Sequence, residues 1–92
     1  MEFNHFESIV KTLPKVFTSH VFIESYIREF ETEYIRELEP KSGGFRDLNS
    51  KIARFLSENQ EKLHLQKGED KVMDENVKGY LSANASWTRI DI

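Results

Sequence analysis

The 92 residues, of which 38% are hydrophobic and 12% aromatic, suffice for one small folded domain and exclude a disordered chain. There is no cysteine, which excludes disulfides, thiolate metal sites and thiol catalysis. The net charge of −3 argues mildly against nucleic-acid binding. No run of about 18 apolar residues occurs, and the start lacks the basic and apolar regions of a signal peptide. We therefore expect a cytoplasmic protein without a membrane span.

The first predicted helix covers residues 3–13. Its apolar side chains recur at spacings of three, four and seven residues, which is the pattern of a helix with one buried face. Pro14 ends this helix, because a proline forces the preceding residue out of the α region. His5 shares no metal-ligand spacing with a neighbour, so we expect an ordinary surface or half-buried histidine.

A second helix is predicted over 19–38, and its start has a specific signal. Thr18 occupies the N-cap position, and Phe17 and Phe22 have the spacing of a hydrophobic staple. Apolar side chains line one side of the helix, and a break is expected near Thr32. Glutamates dominate the other side, where they form either a solvated surface or a docking surface for a basic partner.

The third predicted helix covers residues 47–63, after a loop that contains Pro40 and a Gly-Gly pair. Either Asp47 or Asn49 is expected to be its N-cap. At about 100° per residue, the apolar side chains gather on one side: Leu48, Ile52, Phe55, Leu56 and Leu63. This side is predicted to pack in the core against the second helix.

Beyond Leu63 the hydrophobic period changes from 3.6 to 2 residues, which predicts strands. Two strands, at about 63–67 and 85–91, are expected to form an antiparallel ribbon around a long excursion. Trp87 is predicted to be a core residue laid over the helices. The predicted fold class is therefore α+β, with a three-helix core followed by an antiparallel β-ribbon, in a single domain that spans 1–92.

No catalytic or cofactor site is predicted. His5, His20 and His64 are scattered without a metal-binding pattern, and the serines lack a nucleophile elbow. The carboxylates show no spacing that marks an acid–base pair, and a domain of this size has little depth for a pocket. We therefore expect neither enzymatic activity nor a metal or other cofactor.

The order of the predicted elements resembles a winged helix-turn-helix domain over nearly the whole chain. In that family the third helix commonly enters the major groove and the ribbon touches the DNA backbone. The resemblance implies a module that reads double-stranded DNA through helix 47–63 and the following β-ribbon. The residues it implies in DNA contact are Ser50, Arg54 and Ser57 in the groove, Lys51 at its edge, and Lys62, Lys67, Lys71 and Lys78 on phosphates.

The charge distribution leaves a second function open. Residues 41–67 hold six basic and three acidic side chains, whereas residues 1–40 hold four and eight. The ribbon region carries four carboxylates: Glu69, Asp70, Asp74 and Glu75. Because phosphates would repel these groups, the alternative is a protein-interaction or homodimerising module without DNA binding. Its partner surface would be the acidic second helix or exposed aromatics among Phe3, Phe6 and Tyr34.

Overall fold

The computed structural model of the chain describes residues 1–38, 44–69, 71–75 and 81–90. Within these residues the helices are α1 (Phe3–Thr12), α2 (Ser19–Glu29), α3 (Glu31–Leu38) and α4 (Gly44–Glu58). The strands are β1 (Val16–Thr18), β2 (Leu65–Lys67), β3 (Val72–Glu75), β4 (Leu81–Asn84) and β5 (Ser86–Arg89). The predicted α+β class, a helical core followed by antiparallel strands, is confirmed. No helix in the described ranges is both long and apolar enough to cross a membrane.

Strand β5 is the centre of a three-stranded antiparallel sheet in the order β1–β5–β2. Trp87 lies opposite Phe17 on one side and opposite Lys67 on the other. Strands β3 and β4 form a separate antiparallel pair, in which Val72 lies opposite Asn84. The chain thus leaves β2, runs through this hairpin and returns as β5, so the predicted ribbon is present with shorter strands than expected.

Two strand predictions are wrong. The sequence pattern predicts no strand before residue 45, yet residues 16–18 form β1. This strand depends on its pairing with β5, and three residues are too few to show the period of a strand. Ser19 N donates to Ala85 O at 2.9 Å and continues this pairing into the start of α2. The pattern also predicts a long excursion between the two ribbon strands, with turns and irregular structure, whereas residues 72–75 form β3 and pair with β4 in a hairpin.

The predicted helix 19–38 is divided into α2 and α3 at Phe30, two residues before the expected break. Phe30 leaves the helical conformation, with φ −127° and ψ 47°, although its N–H still donates to Tyr26 O at 2.9 Å. The His5 ring stacks on Phe30 with 4.1 Å between ring centroids. This contact packs the junction between α2 and α3 against α1. The direction of α3 therefore depends on a residue from another helix.

The start of α2 has the predicted local structure. Thr18 Oγ1 accepts a hydrogen bond from Val21 N at 3.2 Å, and the Phe17 and Phe22 rings stack with their centroids 6.3 Å apart. The N-cap and the hydrophobic staple are therefore both confirmed. Because every determinant lies within a few positions along the chain, the entry angle of α2 is set locally.

Thr18→Ala is expected to lower the free energy of unfolding by about 1 kcal/mol, because it leaves the Val21 N–H at the helix start without its side-chain acceptor. Thr18→Ser keeps the hydroxyl and serves as the matched control, with a much smaller loss. Urea unfolding followed by circular dichroism measures both changes. Identical midpoints for Thr18→Ala and wild type would show that the cap contributes nothing.

The core lies between the helices and the three-stranded sheet. Its largest fully buried side chains are Trp87, Tyr26, Phe6, Phe22, Ile9, Leu48, Ile52 and Leu56. The helical period predicts that six side chains pack together at the core centre: Phe22, Tyr26, Phe30, Ile52, Phe55 and Leu56. Phe30 and Phe55 are instead only partly buried and lie at its margin. The Phe55 ring packs on Phe6 with centroids 4.5 Å apart. Truncating Phe55 should thus cost less than the about 3–5 kcal/mol typical of a fully buried ring.

Helix α4 starts earlier than predicted, at Gly44. Asp47 and Asn49 therefore lie inside the helix, and the prediction that one of them is the N-cap is wrong. The Gly-Gly pair at 43–44 is a turn signal, which is why the pattern begins the helix too late. Asn49 Oδ1 instead accepts a hydrogen bond from the Tyr34 hydroxyl at 2.7 Å, joining α4 to α3. Burial raises the pKa of Tyr34, although this hydrogen bond acts in the opposite direction.

The end of α4 is also earlier than the predicted residue 63. The Phe55 carbonyl accepts two hydrogen bonds there, from Asn59 N at 3.1 Å and from Asn59 Nδ2 at 2.8 Å. The chain then turns, with Leu63 N donating to Asn59 O at 2.9 Å. His64 takes a left-handed φ of 57°, a conformation that is uncommon outside glycine, and directs the chain into β2.

Candidate nucleic-acid interface

Helix α4 has one face in the core and the other in solvent. Leu48, Ile52 and Leu56 are fully buried. Ser50 and Arg54 are exposed and Ser57 is half-buried, as the helical period predicts. At about 100° per residue, these three polar side chains fall within an arc of about 60°. They therefore form one narrow line along the helix.

Arg46 extends this line, and the sequence reasoning missed it. Because α4 begins at Gly44 rather than at 47, Arg46 is inside the helix, exposed, and one turn before Ser50. The α4 stripe is defined here as Arg46, Ser50, Arg54 and Ser57. At about 1.5 Å per residue, its two arginines lie about 12 Å apart along the axis. A predicted helix that began at residue 44 would have included Arg46.

The flank of the α4 stripe has mixed charge. Lys51 is exposed there, together with the carboxylates of Asp47 and Glu58. The exposed face of α4 thus carries three cations, Arg46, Lys51 and Arg54, against two carboxylates, a balance of +1. This balance permits contact with phosphate but supplies only a weak electrostatic attraction.

The lysines predicted to contact phosphates do not lie on one surface. Lys62 is exposed in the turn before β2, at the base of the ribbon and beside Arg89. Lys67 ends β2, and its Nζ lies 5.8 Å from the centre of the Trp87 ring. Lys71 is exposed immediately before β3. Lys78 lies outside the described residues. Lys67 and Lys71 are thus toward the hairpin, whereas Lys62 is at the opposite end.

Asn84 joins the hairpin to the helical core. Its side chain is buried, its Oδ1 accepts from His20 N at 2.9 Å, and its Nδ2 donates to Val72 O at 2.9 Å. Close by, Trp87 Nε1 donates to Ser19 Oγ at 2.9 Å. The start of α2 therefore fixes the direction of the ribbon. Sequence reasoning identified Trp87 as a core residue but not Asn84, because asparagine favours turns.

The hairpin side of the ribbon is neither strongly basic nor uniformly polar. Glu69 and Glu75 are exposed there, as expected from the sequence, close along the chain to Lys71. Asp70 lies outside the described residues, as does the side chain of Asp74. Val72 and Met73 are also exposed, by 39% and 61%. Any contact with DNA at the hairpin therefore has to accommodate carboxylates and apolar side chains.

The side of the molecule formed by α1 and α3 carries mixed charge. A cavity of about 280 Å³ there has Tyr26 among its walls and is lined by three glutamates, by Arg36 and by the amino terminus of Met1. The glutamates are Glu2, Glu33 and Glu37, and the amino terminus lies 3.0 Å from Glu37 Oε1. Burial, followed by the charges of Glu37, Glu33 and Glu2, raises the pKa of Tyr26 to about 12. In the described parts of the chain no group of three or more His, Cys, Asp or Glu side chains is placed to hold a metal ion.

The chemistry available on the α4 stripe is hydrogen bonding. Arginine presents a planar fork of donors, and serine hydroxyls both donate and accept, so the α4 stripe can contact base edges or phosphates. The winged helix-turn-helix resemblance stays a prediction, because comparisons of the chain with protein-family models, with curated proteins and with solved structures gave no match.

Proposed function

We propose that the chain is a non-enzymatic, DNA-binding module of the winged-helix type that places α4 in a groove of double-stranded DNA. The observation that supports this is the α4 stripe, with two arginines and two serines on the outer face of a helix whose inner face is buried. Arginine can bond guanine edges with two donors at once, and serine can bond bases or phosphates. A cytoplasmic location, as expected from the sequence, is part of the same proposal.

The position of the ribbon supports the same proposal. Helix α4 leads through one turn into β2, and the ribbon continues into the β3–β4 hairpin. Lys67 and Lys71 lie along the hairpin side, where they would contact phosphates next to the groove. Asn84 and Trp87 tie the ribbon to α2, so α4 and the hairpin would approach a duplex as one rigid surface.

The number of cations on this surface limits the electrostatic part of binding. Arg46, Lys51, Arg54, Lys67 and Lys71 are the five cations of this surface. If every one released a counterion, log K would fall with log salt with a slope of at most about −4.5. Binding should therefore be measured at low salt, about 50 mM, where phosphate contacts contribute most.

Arg54→Ala is expected to weaken DNA binding by about 5- to 150-fold, because one bidentate contact to a base is worth about 1–3 kcal/mol. The variant should also lose sequence preference. Lys71→Ala should weaken binding to all sequences alike, since a phosphate contact carries no sequence information. Lys15→Ala, an exposed lysine before β1, is the matched control and should leave affinity unchanged. Fluorescence anisotropy with mixed duplexes measures all three.

Unchanged anisotropy at tens of micromolar protein and about 50 mM salt would eliminate general DNA binding. Equal losses for Arg54→Ala and Lys15→Ala would remove α4 from the interface. An affinity that barely responds to salt would contradict the role of the five cations.

A protein-interaction or homodimerising module is the second candidate. The specific observation in its favour is the exposure of Val72 and Met73 side by side on β3, together with 46% exposure of Ile35 on α3. Exposed apolar side chains on a strand suit pairing with another protein. Light scattering tests the homodimer directly, since a dimer would have twice the chain mass of 10.9 kDa.

One surface expected for that candidate is not present. Phe6 and Tyr34 are buried and Phe3 is half-buried, so the predicted set of exposed aromatics is wrong. These rings are part of the core, where Phe6 packs on Phe22 and Tyr26. Three glutamates of α2 and α3 are exposed, Glu24, Glu29 and Glu31, together with Arg28 and Arg36 on the same helices.

A further inference from the structure

An open cleft of about 410 Å³ lies at the base of the ribbon. Its walls are the end of α1, the turn before β2 and the end of β5. In the ribbon, the pair Leu65 and Arg89 is at this base, whereas the pair Glu75 and Leu81 is at the hairpin end. Strands β2 and β3 lie between these two ends. The cleft is therefore remote from the hairpin.

Positive charge is concentrated around this cleft. Lys11, Lys62 and Arg89 line it, and the only carboxylate in its described lining is Glu7. The described lining therefore carries a surplus of two cations, on a chain whose net charge is −3. The ammonium groups of Lys11 and Lys62 have no ion-pair partner among the described residues. They are available to an anion from solution.

The guanidinium group of Arg89 is held in a fixed orientation. Its Nη1 lies 3.3 Å from Val10 O and 3.4 Å from Lys11 O, where it donates to the last carbonyls of α1. These contacts satisfy the helix end and offset its negative partial charge. Only Nη1 takes part in them. The buried Nε has no hydrogen-bond partner among the described residues. The group thus has donor capacity beyond what capping α1 uses.

Apolar side chains complete the cleft. Val10 and Leu63 are buried at its floor, and Ile90 is 48% exposed at its wall. An inorganic ion would contact only the charged groups of Lys11, Lys62 and Arg89, and ion pairs with exposed charges are weak. A ligand with an apolar part would also cover Ile90 and gain from removing that surface from water.

We propose that this cleft binds a small organic anion, a carboxylate or phosphate monoester with an aliphatic or aromatic part. The anionic group would lie between Lys62, Lys11 and Arg89, and the apolar part would lie on Ile90. The proposal does not depend on DNA binding. A ligand held here would leave the hairpin free.

The test is a titration of the full chain, followed by amide chemical shifts in two-dimensional NMR. The probes are hexanoate and hexyl phosphate, with hexylamine and acetate as matched controls for charge and for the apolar part. Hexanoate and hexyl phosphate are expected to bind with millimolar dissociation constants and to shift the amides of Lys11, Leu63 and Ile90. Acetate should bind at least about fivefold more weakly than hexanoate, and hexylamine should not bind.

Lys62→Gln is the first variant, because this exposed side chain lies in a turn and its loss should not unfold the domain. The double variant Lys11→Gln, Lys62→Gln should weaken hexanoate binding by about fivefold or more. Lys71→Gln makes the same change of charge near the hairpin and should leave binding unchanged. Wild-type affinity in the Lys11→Gln, Lys62→Gln double variant would overturn the proposal. Equal binding of hexylamine, or no shifts at about 10 mM hexanoate, would do the same.

Discussion

Trp87→Ala is expected to lower the free energy of unfolding by about 3–5 kcal/mol, the largest effect of any single substitution considered for this domain. Trp87 is 1% exposed and lies on the central strand β5, opposite both Phe17 and Lys67. Removing the indole leaves a cavity in the core and deprives Ser19 Oγ of its donor. Domains of this kind are typically stable by about 5–15 kcal/mol, so the variant should lose a large share of its stability.

Two further variants separate packing from hydrogen bonding at this position. Trp87→Phe keeps much of the apolar ring but loses the hydrogen bond to Ser19, and we expect a smaller loss of about 1–3 kcal/mol. Ile90→Ala removes an exposed apolar side chain from the same segment and should change stability by less than about 0.5 kcal/mol. Urea unfolding monitored by circular dichroism at 222 nm, a standard wavelength for helix, reports all three. An unfolding midpoint of Trp87→Ala equal to wild type would refute the central position of this side chain.

Asn84→Ala is expected to cost about 2–4 kcal/mol, because it strips a partner from two backbone groups at once, His20 N and Val72 O. The loss of protection from hydrogen exchange should also be confined to one part of the molecule. The hairpin would come loose from the start of α2, so hydrogen exchange at the His20 amide and along β3 should accelerate. Protection at Ile52, in the middle of α4, should fall only as far as global stability falls.

The matched variants at this position are Asn84→Asp and Ala83→Ser. Asn84→Asp keeps an acceptor for His20 N but loses the donor to Val72 O, so it should spare the His20 amide more than the hairpin. Ala83→Ser changes the exposed neighbour on the same strand and should have little effect. Unaltered exchange of the hairpin amides in Asn84→Ala would show that the bridge does not hold the ribbon.

Features encoded by neighbouring residues could be predicted from the sequence. The N-cap Thr18 and the staple of Phe17 and Phe22 lie within five positions of one another, so local chemistry alone determines them. The inner and outer faces of α4 followed from the helical period in the same way. Ser50 and Arg54 were placed on the surface correctly because their exposure needs only the position of the apolar face.

Features that depend on distant partners could not be predicted. β1 is a strand only because β5 pairs with it, and Trp87 is 68 positions from the Ser19 hydroxyl that it contacts. The division of the second helix depends on His5 stacking against Phe30, a contact between separate helices. Asn84 is buried because two backbone groups from other elements satisfy its amide, which outweighs its preference for turns.

The candidate sites divide along the same lines. The α4 stripe lies on one helix, so three of its four members were found from periodicity, and only Arg46 was missed through the late helix start. The basic cleft draws Lys11, Lys62 and Arg89 from three separate elements. Their convergence depends on the order of strands in the sheet, which no local pattern in the sequence encodes.

The central position of β5 sets an order of events during synthesis on the ribosome. β1 and β2 each pair with β5 and not with each other, so neither has a sheet partner until residues 86–89 have been made. The helices, whose contacts are mostly local, can form earlier. Until then, the nascent chain carries two unpaired strand edges, which are prone to pair with other chains. Closure of the sheet is therefore the last step, and a chain cut before Ser86 would lose both pairings together.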